Sequence, residues 1–260
     1  MFSPTLLAGK TALLTASTSG IGLKTAEIMA RSGAKAVLIN GRTEAMGLKA
    51  AAQLKCMAPE ADIHFVAADM TRPEEIAGLF RIAGEKMGRL DMFVHANPGI
   101  GAFGAFAAQE EATIRNAAAT LFGGFPIACH HALPLMKAHG GGAIVAIASD
   151  AAKLATPGES LIGGAFAGIV MFAKTLGLEE ARNNIRVNVV TPSIVQGTLT
   201  YARIQAHPMA RKVFAKAEER ARLGVPSPEN VAPVIVFLAS PLASHISGQV
   251  VSVNGGISFA

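Results

Sequence analysis

Six short apolar runs recur along the chain, at residues 12–15, 36–39, 63–67, 92–95, 143–148 and 187–190, and most are followed by a longer stretch with helical spacing. A strand that feeds a helix and then a second strand of the same sheet crosses over right-handedly. The rhythm therefore predicts a mostly parallel sheet covered by helices on both faces. With 260 residues, 51% hydrophobic and 16% charged, the chain fits one large α/β domain and excludes a disordered tail or a coiled coil. No linker rich in Pro, Gly or Ser divides it, so residues 1–260 are expected to form a single domain. Two features break the rhythm: a long helix from about Glu110 interrupted by Pro126, and an irregular basic segment at about residues 193–224. An insertion at the carboxyl end of a strand in an open α/β sheet sits over the ligand crevice, so the second feature reads as a lid.

Charge and cysteine narrow the function classes. The net charge is +5, and residues 201–224 hold six basic side chains (Arg203, Arg211, Lys212, Lys216, Arg220 and Arg222) against Glu218 and Glu219. Nucleic-acid binding would interleave aromatics with such charge, yet there is no Trp and a single Tyr. Cys56 and Cys129 form no C-x-x-C spacing, which excludes a structural zinc site and a disulfide framework; no metal is expected, and a reducing, cytoplasmic setting is. Residues 231–260 carry no Asp, Glu, Lys or Arg, but Pro233, Pro241, His245, Gly248, Asn254 and Gly255-Gly256 break the stretch into pieces too short to span a membrane. Met1-Phe2-Ser3-Pro4 offers no basic region and no apolar core before Lys10, so no signal peptide is expected.

The first apolar run leads into Thr15-Ala16-Ser17-Thr18-Ser19-Gly20-Ile21-Gly22 and then an Ala-rich stretch. Gly20 and Gly22 let backbone approach a pyrophosphate, which free N–H groups at a helix N-terminus stabilise; a plain tight turn is the alternative. The second run ends Ile39-Asn40-Gly41-Arg42. Gly41 stands where a carboxylate would meet a ribose 2′-hydroxyl, and the Arg42 guanidinium beside it suits a 2′-phosphate. Asp69-Met70, after the third run, is placed to meet an adenine, although Asp ahead of Thr71 and Pro73 also reads as a helix cap.

These residues resemble the short-chain dehydrogenase/reductase family, and the resemblance covers essentially the whole chain. The family's T-G-x-x-x-G-I-G reads here as residues 15–22 with Ala16 for the first Gly, as in some NADPH-dependent carbonyl reductases. Residues 184–192, Asn-Ile-Arg-Val-Asn-Val-Val-Thr-Pro, are similar to N-I-R-V-N-x-V-x-P-G, with Ser193 for Gly, and residues 247–256 resemble the family's last strand. The resemblance implies a Rossmann-like, doubly wound α/β domain with a parallel seven-stranded sheet. It also implies NADP(H) held by Ser17, Ser19, Gly20, Ile21, Gly22, Arg42, Asp69, Met70, Asn97 and Pro192.

Relatives reduce a carbonyl with Asn, Ser, Tyr and Lys: Ser holds the carbonyl, Tyr delivers a proton, Lys lowers the Tyr pKa from about 10 and holds the ribose, and Asn supports a water relay. Ser149 matches the Ser, or is an ordinary strand-end hydroxyl. The Tyr and Lys positions hold Ile162 and Phe166, a register supported by Phe172-Ala173-Lys174-Thr175-Leu176 downstream and by Ser149-Asp150-Ala151-Ala152 and Gly158-Glu159, which resemble ring-carboxyl-CoA dehydrogenases. The Asn position holds Thr120. Carbonyl reduction is therefore expected to be weak or absent.

Other polar residues stand as candidates to replace the missing pair. Tyr201 sits in the lid and either descends on closure or makes an ordinary lid contact. Asp150, Lys153 and Glu159 read as a solvated loop more readily than as pocket residues. His95 ends the fourth run in Val94-His95-Ala96-Asn97-Pro98-Gly99, where enoyl reductases of the superfamily carry V-H-S, so it is compatible with cofactor binding. His130 and His131 fall on the long helix that relatives use between subunits, pointing to core or interface. Three functions stay open: an NADP(H)-dependent oxidoreductase acting on an acyl thioester, CoA- or carrier-bound, or a cyclic ketone; a non-catalytic cofactor-binding subunit; and a non-redox lyase or isomerase. The resemblance further implies a homo-oligomer, dimer or tetramer, or, as the alternative, an assembly with an active relative.

Overall fold

A computed structural model describes residues 2–97 and 102–259; Pro98 and Gly99, quoted above, lie outside them. In chain order the elements are β1 (Thr11–Leu14), α1 (Gly20–Arg31), β2 (Ala36–Gly41), α2 (Glu44–Met57), β3 (Asp62–Ala67), α3 (Pro73–Met87) and β4 (Met92–His95). Then follow α4 (Glu111–Ala118), α5 (Gly124–Lys137), β5 (Gly142–Ile147), α6 (Ser160–Glu180), β6 (Ile185–Thr191), α7 (Leu199–Ala206), α8 (Pro208–Arg220), α9 (Pro228–Ala239) and β7 (Val250–Ser252). The seven strands form one sheet in the order β3-β2-β1-β4-β5-β6-β7, with every pairing parallel. Strand order reverses between β1 and β4, and a crevice opens at the carboxyl ends of the strands at such a switch point.

Side chains of a strand alternate between faces, and the two cores follow that period. Leu13, Leu38, Phe93, Ile144 and Val187 point to one side, where Phe80 of α3, Phe125 of α5 and Ile169 of α6 cover them. Leu14, Ile39, Val94, Val145 and Val190 point to the other, under Met29 of α1, Leu54 of α2 and Ile235 of α9. Phe93 is fully buried and meets Phe80 edge to face at 5.3 Å. Burying each such side chain stabilises the fold by about 1.5–3 kcal/mol. The same burial accounts for the first part of the charge-free stretch after residue 230, because α9 buries Val231, Ala232, Ile235, Val236 and Leu238 between α1 and the sheet.

Two expectations are corrected. The interruption of the long helix is a π-helical segment, Ala119–Gly123, which precedes Pro126 rather than coinciding with it. Pro126 has no N–H to offer the carbonyl four residues earlier, at Phe122, so the helix widens there. Residues 193–224 are largely regular: residues 199–206 form α7 and residues 208–220 form α8, with turns at either end. Pro208 opens α8 at its first position, and the His207 ring accepts the Ala210 N–H at 3.2 Å. Ile194, Ala210 and Phe214 form a small core of their own beneath these helices, with Tyr201 and Ile204 against it.

By length and composition, the helical stretch Ser160–Asn183, of which α6 is the main part, could cross a membrane. One face of α6 buries Phe166, Ile169, Ala173 and Leu176, while Met171 and Leu178 on the other are 63% and 81% exposed.

Candidate active site

The turn between β1 and α1 is shaped for close backbone approach. Ala16 adopts φ 45° and Gly20 φ 55°, both left-handed. Asn40 Oδ1 accepts the Ala16 N–H at 3.4 Å, which helps hold the alanine in a conformation that glycine would take without strain. A Cβ on Gly22 would lie 2.7 Å from Ser17 Cα, so only glycine closes this turn onto the helix. Ser19 precedes α1 without a side-chain cap hydrogen bond, and the first turn has no acid. Its N–H groups are therefore open to an anion.

Here the turn borders a cavity of about 490 Å³ running along the carboxyl ends of the strands. One half is bounded by Ser19, Gly20, Ile21, Gly22, Arg42, Asp69 and Met70. A Cβ on Gly41 would lie 2.7 Å from Thr18 Cγ2, so Thr18 occupies the space a larger residue at 41 would need. The Arg42 side chain is exposed and makes no ion pair within 4 Å among the described residues. Asp69 Oδ1 accepts from the Thr71 N–H at 2.9 Å and the Thr71 hydroxyl at 2.8 Å. Burial raises the Asp69 pKa, but those bonds and the Arg42 and Arg72 charges outweigh it and hold the carboxyl below its ordinary value. Asp69 thus caps a turn, and Arg72, not Asp69, precedes α3.

Ser17 is the one proposed cofactor residue that the structure turns away. Its side chain is fully buried, its hydroxyl donates to Leu14 O at 2.7 Å, and its N–H donates to Asn40 O at 2.9 Å. The ends of β1 and β2 consume both groups, and Thr18 lines the cavity instead.

Asn97 and Pro192 line the middle of the cavity. His95 Nε2 pairs with Asn97 Oδ1 at 3.2 Å, and its Nδ1 lies 3.1 Å from Thr15 Oγ1. Burial depresses the His95 pKa to about 4, so the ring is neutral and donates from Nε2. That bond leaves Asn97 Nδ2 buried with no partner among the described residues. A buried amide donor without an acceptor is costly. A ligand oxygen in the cavity would satisfy it, so the residues present fit a dinucleotide.

The other half gathers Thr120, Ser149, Glu159, Ile162, Phe166 and Tyr201. Thr120 lies in the π-helical segment, a distortion frequent at functional sites. Ser149 Oγ accepts the Ala151 N–H at 3.2 Å, capping the turn Asp150–Ala152 and leaving the hydroxyl proton as a donor. Ile162 and Phe166 stand one turn apart on α6 and present hydrocarbon to the cavity. Tyr201 comes down from α7, where burial and Glu218 hold its phenol above its ordinary value, the reverse of an activated tyrosine. Asp150 and Lys153 point elsewhere: Asp150 accepts from Asn254 and Ser258 at the carboxyl end of the chain, and Lys153 reaches Ser252. His131 stacks on Phe80 and His130 is exposed, both away from the cavity.

Glu159 belongs to the cavity wall rather than to a solvated loop. At the start of α6 it lines the cavity, where burial pushes its carboxyl up to about 7 against a hydrogen bond from Thr156. Thr198, Leu199, Ile204 and Phe214 of the lid also face the cavity, and no motif in the sequence marks them.

A family model described as enoyl-(acyl carrier protein) reductase matches residues 15–258. The chain is 31% identical over 251 residues to an uncharacterized oxidoreductase of Thermotoga maritima, covering 95% of this chain and 97% of that one. It is 31% identical over 253 residues to a 3-oxoacyl-(acyl-carrier-protein) reductase of Chlamydia muridarum, covering 97% and 98%. With a D-beta-hydroxybutyrate dehydrogenase of Cupriavidus necator it shares 32% identity over 263 residues, covering 96% and 98%. A short-chain dehydrogenase/reductase from Mycobacterium ulcerans superposes with a TM-score of 0.88 at 26% identity, covering 96% of this chain and 90% of that one. Sheet order, glycine turn and these likenesses together make the chain a member of the short-chain dehydrogenase/reductase family, an oxidoreductase by kinship.

Proposed function

We propose that the chain binds NADP(H) and acts as an oxidoreductase whose usual tyrosine and lysine have been replaced by hydrocarbon, so that ordinary carbonyl reduction is slow. The observation that carries this is the contrast between the two halves of one cavity. Gly20, Gly22, Arg42 and Asp69 border one half, with Arg42 exposed and Asp69 Oδ1 held by Thr71, while Ile162 and Phe166 form a wall of the other. Backbone N–H groups at residues 19–22 would take the pyrophosphate, Arg42 the 2′-phosphate, Asp69 the adenine amino group and the Asn97 amide a ribose or carboxamide oxygen. When bound, the dinucleotide supplies or accepts hydride. The Ser149 hydroxyl would donate a hydrogen bond to a carbonyl oxygen and polarise it, keeping its own proton, while Ile162 and Phe166 exclude water from the reacting face.

The basic lid suits an anionic substrate, an acyl group carried on CoA or on an acidic carrier protein, and a curated relative reduces 3-oxoacyl groups on such a carrier. Exposed Met171 and Leu178 on α6 favour a homo-oligomer, a dimer or tetramer, built through the long helices and the last strand. Free Cys56 and Cys129 agree with a cytoplasmic setting. Titrating NADPH and NADH by fluorescence, then following oxidation with ketones and 3-oxoacyl thioesters, tests the reading. Tight NADPH binding with no turnover would instead favour a non-catalytic subunit, the reading that Ile162 and Phe166 support on their own. No binding of either nucleotide would favour a non-redox lyase or isomerase.

A further inference from the structure

The wall that lacks tyrosine and lysine does not lack an ionisable group. Glu159 sits three residues before Ile162, at the position preceding the first turn of α6, and lines the cavity that Ser149 closes. Its backbone is fixed on both sides: its N–H donates to Thr156 O at 3.0 Å, and its carbonyl accepts the Gly163 N–H at 2.7 Å. The side chain therefore springs from a rigid corner rather than a free loop. Gly158 just before it has φ 85° and packs against Phe103, where a Cβ would lie 2.9 Å from the ring. Phe103 in turn meets His207 and Phe214 of the lid at 5.9 and 6.0 Å. The residue before the glutamate is thus tied through Phe103 to the lid, and the Glu159 side chain itself is partly buried in the cavity wall.

We propose that Glu159 is the proton-transfer residue of this site, exchanging a proton with the oxygen of a carbonyl substrate that Ser149 holds. The inference rests on the oxidoreductase reading above. In the reducing direction the O–H bond of the Glu159 carboxyl breaks and an O–H bond forms on the substrate oxygen. The C=O π pair becomes the pair of that new bond, and a reduced nicotinamide provides the hydride for the new C–H bond. The carboxylate left behind regains a proton from water at the open mouth of the cavity. In the oxidising direction the carboxylate accepts the alcohol proton.

The surroundings suit the role. Desolvation is the largest influence on the carboxyl and brings it to about 7, where both protonation states are populated at neutral pH. The charged groups on neighbouring elements are directed elsewhere or stand at the edge. Asp150 and Lys153 on the preceding turn engage Asn254, Ser258 and Ser252; His207, between α7 and α8, packs on Phe103; and Arg203 of α7 is an exposed cavity residue. Tyr201, the other titratable cavity group on α7, is engaged with Glu218.

The test uses the full chain, with Glu159→Gln as an isostere and Glu159→Asp as a shortened acid. Difference infrared spectroscopy of the apo protein should show one carboxyl titrating near pH 7 that disappears in Glu159→Gln. With NADPH and a ketone or 3-oxoacyl thioester, the wild-type rate should fall as pH rises through about 7, because the protonated acid is the donor. Glu159→Gln should bind NADPH as tightly as wild type, lose about 10²-fold or more in rate and lose that pH step, while Glu159→Asp recovers part of both. A carboxyl that titrates in the ordinary range, or a Glu159→Gln protein with wild-type rate and pH profile, overturns the role while leaving the oxidoreductase reading intact. A wild type that binds NADPH and reduces nothing overturns the reading and the role with it.

Discussion

His95 Nε2 lies 3.2 Å from Asn97 Oδ1, and this bond fixes which end of the Asn97 amide faces the cofactor cleft. The arrangement requires a neutral ring, and burial keeps it neutral by lowering its pKa to about 4. The folded value lies below the unfolded value of about 6.5, so the unfolded chain binds this proton first as pH falls. The associated stability is fully present above pH 6.5 and is lost progressively toward pH 4, by up to about 3 kcal/mol. Urea unfolding at stepped pH should show that decline, and His95→Gln should flatten it while retaining a donor toward Asn97. A wild-type curve that is level across this window would contradict a buried neutral histidine.

Ala16 offers a prediction in the stabilising direction. A non-glycine residue in the left-handed region costs about 1–2 kcal/mol, part of which a glycine's greater unfolded entropy offsets. Ala16→Gly should therefore raise the melting temperature by a few degrees, as about 1 kcal/mol does for a domain of this size. A melting temperature that falls would show that neighbouring contacts, not conformational strain, dominate at this turn.

Most of the sheet was legible in the sequence because parallel strands buried on both faces read as continuous apolar runs, and the six runs correspond to β1 to β6. The glycine turn was legible for a similar reason, since Gly20 and Gly22 answer to backbone geometry that few residues satisfy. The lid, read from the sequence as an irregular basic segment, holds the two short helices α7 and α8. In the fold Pro208 marks the boundary between two helices. Ser17 and Glu159 were misplaced for one shared reason. Whether a polar side chain ahead of a helix turns into the core or into a cavity depends on which backbone groups around it are unsatisfied, and only the tertiary structure decides that. Ser17 finds Leu14 O and Asn40 O, whereas Glu159 finds little beyond Thr156.

Arg42 should decide the choice of nucleotide. Gly41 brings no carboxylate to repel a 2′-phosphate, and Arg42 stands exposed at the edge of the cleft, able to pair with it bidentately. Arg42→Ala should weaken NADPH by about 2 kcal/mol and NADH far less, typical of a charge-assisted contact. Equal losses in fluorescence titrations would remove the assignment to NADP(H).

The lid charges predict a salt-sensitive substrate. Arg211, Lys212 and Lys216 are all exposed on α8, outside the small apolar core that anchors it. Replacing the three with glutamine should weaken binding of an acyl-CoA and flatten its dependence on ionic strength, with NADPH affinity little changed. Affinity for a CoA thioester that is the same in low and high salt would argue against an anionic carrier.

Ile162 and Phe166 make the sharpest case, because the structure places both on the cavity wall one helical turn apart. Ile162→Tyr with Phe166→Lys should set a phenol beside Ser149 and an ammonium toward the ribose. Phe166 is only 8% exposed and packs in the main core, so Phe166→Lys alone should destabilise the protein by several kcal/mol unless cofactor and water solvate the charge. NADPH should therefore rescue the melting temperature of the double variant more than that of wild type. Reduction of a small activated ketone should rise by about 10²-fold over wild type, the lower end of what acid–base catalysis supplies, and Thr120→Asn should raise it further. The gain should also survive Glu159→Gln, since the proton would then come from the new tyrosine. A double variant that folds, binds NADPH and reduces ketones no faster than wild type would show that these two positions are not where this scaffold transfers a proton.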